Sequence, residues 1–258
     1  MSNHRALITG ASAGLGREFA RQLAADGKDL VLVARRREPM AELAKELREA
    51  HGVDVEIVTA DLSEPAAPVM LERTMRDKGL EIDYLVNNAG AAGPDLIRER
   101  NWGKHDAYLW LMMTSVAAMC HEFVPAMLER GFGRVLNVAS VAGQVTLNGD
   151  YSYGPTKAYL IALSKAMNAA FRSDGVHVTA LCPGFTHTDF HDSDKLTAMK
   201  QGTPGFIWYD ADVVVREGLA ALEKGKEEVI SGRLYRVLIP ILRMRLTRRL
   251  IALLGVKI

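Results

Sequence analysis

Apolar residues in this chain gather in short unbroken runs, separated by longer stretches where apolar and charged positions alternate with a helical period. The short runs read as strands over Ala6–Thr9, Leu30–Ala34, Val55–Thr59, Tyr84–Asn87, Val135–Val138, Val176–Leu181 and Val229–Ser231. Between them the spacing predicts helices over Leu15–Ala25, Pro39–Ala50, Pro65–Lys78, about His105–Arg130, Ser152–Arg172 and Ala211–Lys224. Runs such as LVLVA and RVLNVA have no polar alternation, as expected of strands buried on both faces. Strands joined through helices imply right-handed crossovers, hence an α/β fold: a doubly wound parallel sheet with helices on both faces. No repeat, low-complexity tract or Pro/Ser-rich linker interrupts the pattern, so a single domain over 1–232 is expected.

Two regions depart from the alternation. Residues 185–210, FTHTDFHDSDKLTAMKQGTPGFIWYD, form a long mixed insertion of the kind that serves as a lid or binding loop. Residues 233–258 carry Arg233, Arg236, Arg243, Arg245, Arg248, Arg249 and Lys257 without one acid, threaded through leucine and isoleucine, and read as a basic amphipathic extension. Over the whole chain charge is balanced, 32 Lys and Arg against 31 Asp and Glu, which argues against a nucleic-acid partner. Cys120 and Cys182 sit in apolar surroundings without metal-ligand spacing; buried reduced thiols and a cytoplasmic setting are expected, with no metal. The start, MSNHRALITG, lacks an apolar signal core, and no run of about 18 apolar residues escapes a charge, so a soluble protein is expected.

The chemistry-bearing residues sit where strands end. Gly10, Ser12, Ala13, Gly14, Leu15 and Gly16 belong to a turn, TGASAGLG, that leads from the first strand into the first helix. Such a turn lets backbone N–H groups approach a pyrophosphate at the positive helix end. The second strand ends at Ala34 and runs into Arg35, with no acid before Glu38. An acid there would bind a ribose 2′-hydroxyl, whereas an arginine accommodates a 2′-phosphate, so NADP is favoured over NAD. Asp61 and Leu62 follow the third strand, where Asp61 either receives an adenine amino group or caps the next turn. Asn88, Ala89 and Gly90 close the fourth strand; its small residues let a cofactor lie close, and the asparagines bridge neighbouring strands. Ser140 ends the fifth, and Tyr153 and Lys157 follow at i and i+4, one turn apart on a helix face. An ammonium beside a phenol lowers the phenol's pKa, suiting it to trade a proton with a carbonyl or alcohol oxygen.

TGASAGLG, NNAG, Ser140, Tyr-x-x-x-Lys and the Cys182-Pro183-Gly184-Phe185-Thr186 segment stand in an order that resembles the short-chain dehydrogenase/reductase family over essentially the whole chain. The resemblance implies a seven-stranded Rossmann sheet with the cofactor across the strands' carboxyl ends. It implies Tyr153 as acid/base, Lys157 on the nicotinamide ribose, and Ser140 orienting the substrate oxygen. It likewise puts Asn88 beside the cofactor and Pro183, Gly184 and Thr188 under the carboxamide, with Thr186 also among the cofactor-binding residues. Tyr151 lacks the lysine, since its i+4 residue is Pro155. One position departs from the family: an asparagine usual on the long fourth helix, where the backbone holds a relay water, falls on Met112.

The expected activity is hydride transfer between NADP(H) and a hydrophobic ketone or secondary alcohol. The apolar residues Val141, Val145 and Leu147, and Phe185, Phe190, Met199, Phe206, Ile207, Trp208 and Tyr209 of the insertion, suggest the substrate's character. His187 and His191 read as surface-loop histidines. The basic extension rests on an anionic membrane surface, covers the substrate mouth, or packs on another subunit, and the family often forms homodimers or homotetramers. A dinucleotide-binding sensor or scaffold without turnover is the alternative, favoured by Met112 alone.

Overall fold

The computed structural model describes residues 4–146, 148–188 and 205–243. Its strands are β1 (Arg5–Thr9), β2 (Asp29–Ala34), β3 (Val55–Thr59), β4 (Tyr84–Asn87), β5 (Gly133–Val138), β6 (Val176–Cys182) and β7 (Glu228–Ile230). They form one parallel sheet in the order β3-β2-β1-β4-β5-β6-β7. The strand order reverses between β1 and β4, which opens a crevice beyond their carboxyl ends, where open α/β sheets bind ligands.

Period-two alternation divides the core. Ala6 and Ile8 point to a layer with Phe19, Met40, Leu43, Val214 and Leu222, from helices α1 (Gly14–Ala25), α2 (Arg37–His51) and α7 (Ala211–Glu223). Leu7 and Leu85 point to the other layer, with Leu71 and Met75 of α3 (Ala67–Asp77) and Met119 and Phe123 of α5 (Ser115–Glu129). Helix α6 (Tyr153–Phe171) joins this second side through Leu160 and Ile161. Both faces are covered, which is why the strands carry no polar alternation.

Element boundaries lie within two or three residues of those expected, and the long fourth helix is divided. The third helix begins at Ala67 rather than Pro65, because Asp61 accepts from Ser63 N and Oγ and holds the preceding residues in a turn. The helix expected over His105–Arg130 is α4 (Trp102–Leu109), continued through a π-helical turn at Trp110–Thr114 into α5. Taken together, Trp102–Arg130 is long and apolar enough to span a bilayer by length, but Met112, Met119, Cys120, Phe123 and Met127 spend its apolar side inside the molecule. The basic extension begins as a helix, α8 (Arg233–Arg243); residues 244–258 lie outside the described part.

Candidate active site

The glycine turn is held by side chains that the strand pairing brings to it. Thr9, the last residue of β1, accepts through Oγ1 from the backbone N–H groups of Asn88 (2.9 Å) and Ala89 (3.0 Å). Asn88 Nδ2 donates to Thr9 O at 2.9 Å and to Gly10 O at 3.4 Å. Gly10 has φ +68°, in the left-handed region, and a Cβ on Gly16 would collide with the Gly10 carbonyl. No described side chain caps the start of α1. The turn therefore presents backbone donors at a helix N-terminus, the geometry that suits a pyrophosphate. Thr188 lies against Gly14, closing the turn from the β6 side. Thr9 is a residue that sequence reasoning treats only as a strand end, since its role depends on the β1–β4 pairing.

Beyond β2, Arg35 and Arg36 are both exposed. Arg35 stands 3.9 Å from Asp61 Oδ2, while Arg36 donates to Ser12 Oγ at 3.3 Å. Arg36, not singled out from sequence, is thus the cation that reaches the glycine turn. Asp61 caps its own turn through Oδ1, and Leu62 is buried in the second core layer.

At the end of β5, Ser140 begins a 3-10 turn (Val141–Gly143), accepting through Oγ from Ala142 N at 3.1 Å. This turn is pressed onto α6 near Lys157, because a Cβ on Gly143 would stand 2.7 Å from the Lys157 carbonyl carbon. Tyr153 opens α6, and Lys157 follows one turn on, its Nζ 5.6 Å from the Tyr153 ring centroid. Lys157 is 5% exposed and donates to Val138 O at 2.8 Å. Behind them, Asn87 donates to Asn137 (2.8 Å) and Asn137 to Ser164 (2.9 Å), so a buried polar chain ties β4, β5 and α6 together. The expected bridging by strand-end asparagines is present in that chain and in Asn88.

Electrostatics correct one expectation. Burial pushes the Tyr153 phenol up from its ordinary value, with Ser140 hydrogen bonding pulling the other way. Burial pushes Lys157 down to about 8. In place of the expected lowering by the ammonium, burial sets the direction for the phenol, and the Lys157 ammonium is turned to the Val138 carbonyl.

A cleft of about 200 Å³ adjoins Tyr153, walled by Gly93–Leu96 on one side and Gly149–Ser152 on the other. Ser152 Oγ donates to Pro94 O at 3.3 Å and joins the walls. Val141 and Val145, which follow Ser140 in the chain, are half-buried. In the insertion, Tyr209 N donates to Phe185 O and His187 N to Tyr209 O, both at 3.0 Å, pairing the two ends of the loop. Phe185 and His187 pack on Trp208, so these aromatics serve largely to close the loop, while Phe206 stays exposed. Leu147, Phe190, His191 and Met199 lie outside the described residues. Helix α8 covers this region: Tyr235 donates to Ile207 O, accepts from Phe185 N, and packs its ring onto Gly184. Beside it, Thr186 Oγ1 donates to Gly184 O, and Pro183 O accepts from Val141 N, tying the segment to the Ser140 turn.

Met112 lies in the π-helical turn, 1% exposed, and its sulfur accepts from Ala91 N at 3.4 Å while touching the space beside Gly90. It packs the end of the NNAG segment rather than supplying an amide.

The sequence profile described as short chain dehydrogenase matches residues 4–198. This chain belongs to that family. A 3-oxoacyl-[acyl-carrier-protein] reductase of Staphylococcus aureus is 30% identical over 235 residues, covering 90% of this chain and 95% of that protein. Among solved structures, a short-chain dehydrogenase from Sphingobium yanoikuyae in complex with NADPH superposes with a TM-score of 0.80 at 30% identity, over 98% of this chain and 92% of that one. The bulky-bulky ketone specific alcohol dehydrogenase from Comamonas testosteroni superposes with a TM-score of 0.77 at 26% identity, over 99% and 92%. The short-chain dehydrogenase described here is accordingly an oxidoreductase acting between CH–OH and C=O groups with a nicotinamide dinucleotide.

Proposed function

We propose that the chain interconverts hydrophobic ketones and secondary alcohols with NADP(H), Tyr153 being the group that exchanges the proton. The observation that carries this reading is convergence: Ser140, Tyr153 and Lys157 stand together beyond the carboxyl ends of the strands, the end that also bears the glycine turn, and Tyr153 lines a cleft there. Gly10, Gly14 and Gly16, with Asn88, Thr186 and Thr188, would hold the dinucleotide. Arg35 and Arg36 would face its 2′-phosphate, and β2 ends without an acid, which supports NADP over NAD. The bound dinucleotide supplies or takes up the hydride at the carbonyl carbon. Tyr153 passes its phenolic proton to the oxygen of the ketone being reduced and takes it back in oxidation, while Ser140 steadies that oxygen. Lys157, drawn off Val138 O, would hold the nicotinamide ribose and favour the phenolate in the complex. The named ketone preference of the Comamonas relative and the half-buried Val141 and Val145 support a bulky apolar carbonyl. The buried thiols of Cys120 and Cys182 suit a reducing, cytoplasmic setting, in which the enzyme would act as a homodimer or homotetramer.

Following NADPH absorbance across bulky cyclic and aromatic ketones tests the assignment. Tyr153→Phe should lose at least about a hundredfold in kcat, the scale of a lost acid/base group, with NADPH binding nearly unchanged. Turnover retained by Tyr153→Phe would sink the role given to the phenol.

The outer face of α8 also supports a peripheral membrane contact. Val237, Leu238 and Ile241 are exposed there, with Arg233 and Arg243 on the same helix.

A further inference from the structure

The first turn of α6 is held by a residue outside the Ser140, Tyr153, Lys157 set. Ser152 occupies the cap position, but its side chain makes no capping bond and is turned to Pro94 O. Asp150 does the capping instead: its Oδ2 accepts from Gly154 N at 2.7 Å. The fit is close, since a Cβ on Gly154 would stand 2.8 Å from that oxygen and 2.9 Å from Ala142 O. The carboxylate thus meets the positive end of the helix one residue from Tyr153, and both residues line the cleft.

The groups acting on the Tyr153 phenol come from several elements around it, while Asp95 lines the opposite wall of the cleft. Ser140 comes from the turn after β5, Tyr108 from α4, Cys182 from β6 and Asp150 from the loop before α6, with Lys157 one turn along α6 itself. Burial pushes the Tyr108 phenol and the Cys182 thiol each up to about 12, so both are neutral near pH 7. That leaves the Asp150 carboxylate as the negative charge in the set. Such a charge disfavours a second anion beside it.

We propose that Asp150 is a positioning residue for Tyr153, whose carboxylate fixes the first turn of α6 and sets the pH at which the phenol exchanges its proton. The inference rests on the assignment of Tyr153 as the proton-exchanging group. Its role differs from that of an ordinary helix cap because the capped turn carries the reacting group, and the carboxylate and Tyr153 line the same cleft.

The test is the pH dependence of kcat for oxidation of a secondary alcohol, the product of whichever panel ketone is reduced, with NADP⁺ saturating. Phenolate is the proton-accepting form in this direction, so the rate rises with pH through the phenol's titration. Removing the neighbouring negative charge eases formation of the phenolate, so Asp150→Asn should move that limb to lower pH by about half a unit or more. Asp150→Glu, which keeps the charge, should bring the limb back toward its original position. A limb unmoved in a folded, active Asp150→Asn enzyme overturns the proposal. If Asp150→Asn does not fold, Asp150→Ser caps through a hydroxyl and is read the same way. Turnover retained by Tyr153→Phe, or none by the unaltered enzyme with any panel ketone, would instead overturn the assignment of Tyr153 and this inference with it.

Discussion

Lys157 shows how a single side chain can be costly to the fold and necessary to the site. It is buried to 5% exposure and its pKa is pushed down to about 8, below the 10.5 of a free lysine. At this side chain the unfolded state therefore holds its proton between about pH 8 and 10.5 where the folded state has lost it, and the contribution of Lys157 to stability rises with pH across that window. Above about pH 10 the Tyr153 phenol acts in the opposite sense. Its folded pKa is raised, so the stability it contributes is lost as the unfolded phenol ionises. The lysine contribution reaches up to about 3 kcal/mol if the whole shift is expressed. The buried Cys120 and Cys182 thiols, both pushed up by burial to about 12, act in the opposite sense from about pH 9, so the lysine contribution is read against Lys157→Met. In thermal melts of the cofactor-free proteins, the unaltered protein should gain on Lys157→Met as pH rises from about 7 to 10; a difference that does not change with pH would sink the assignment to Lys157.

Elements explain why the site's residues are where they are. The π-helical turn at Trp110–Thr114 shifts the register of the long helix and brings the Met112 sulfur to Ala91 N. Helix α8 is joined to the body by Tyr235 on Gly184 and by the Leu234 N–H, which donates to Tyr209 Oη at 3.1 Å. A side chain at position 184 has no room under that ring, so Gly184→Ala should displace α8 and the paired ends of the insertion. The expected cost is about 1–3 kcal/mol, the usual range for overpacking, visible as a lower Tm and earlier proteolytic cleavage in α8. An unchanged Tm and cleavage pattern would mean that Tyr235 swings away freely. Through this attachment α8, the described start of the basic extension, packs onto the sheet domain.

At the scale of the molecule, one side of α8 is spent on the body, with Tyr235 and Ile239 buried, and the other is left apolar and basic. Truncation at Arg233 would remove the cover of the Gly184 segment as well as the surface, so substitution is the cleaner probe. Val237→Ser with Ile241→Ser should reduce sedimentation with anionic phospholipid vesicles at low salt, leave that with neutral vesicles low, and keep turnover intact. Equal sedimentation of both proteins would exclude this face as the contact.

Strand runs, glycine turn, NNAG and Tyr-x-x-x-Lys are legible in the chain because each is local: burial on two faces removes alternation, a tight turn needs glycine, and i, i+4 residues share a helix face. The seven parallel strands and the family follow from those signals. The approach of Thr9 to Asn88, of Arg36 to Ser12, of Asp150 to Gly154 and of Tyr235 to Gly184 joins residues whose meeting depends on strand order and loop paths. The π-helical turn has no periodic signature, and the rise of the Tyr153 pKa depends on how much water the surrounding elements exclude. Those were decided only by tertiary structure, because packing and desolvation are sums over neighbours that the linear order does not specify.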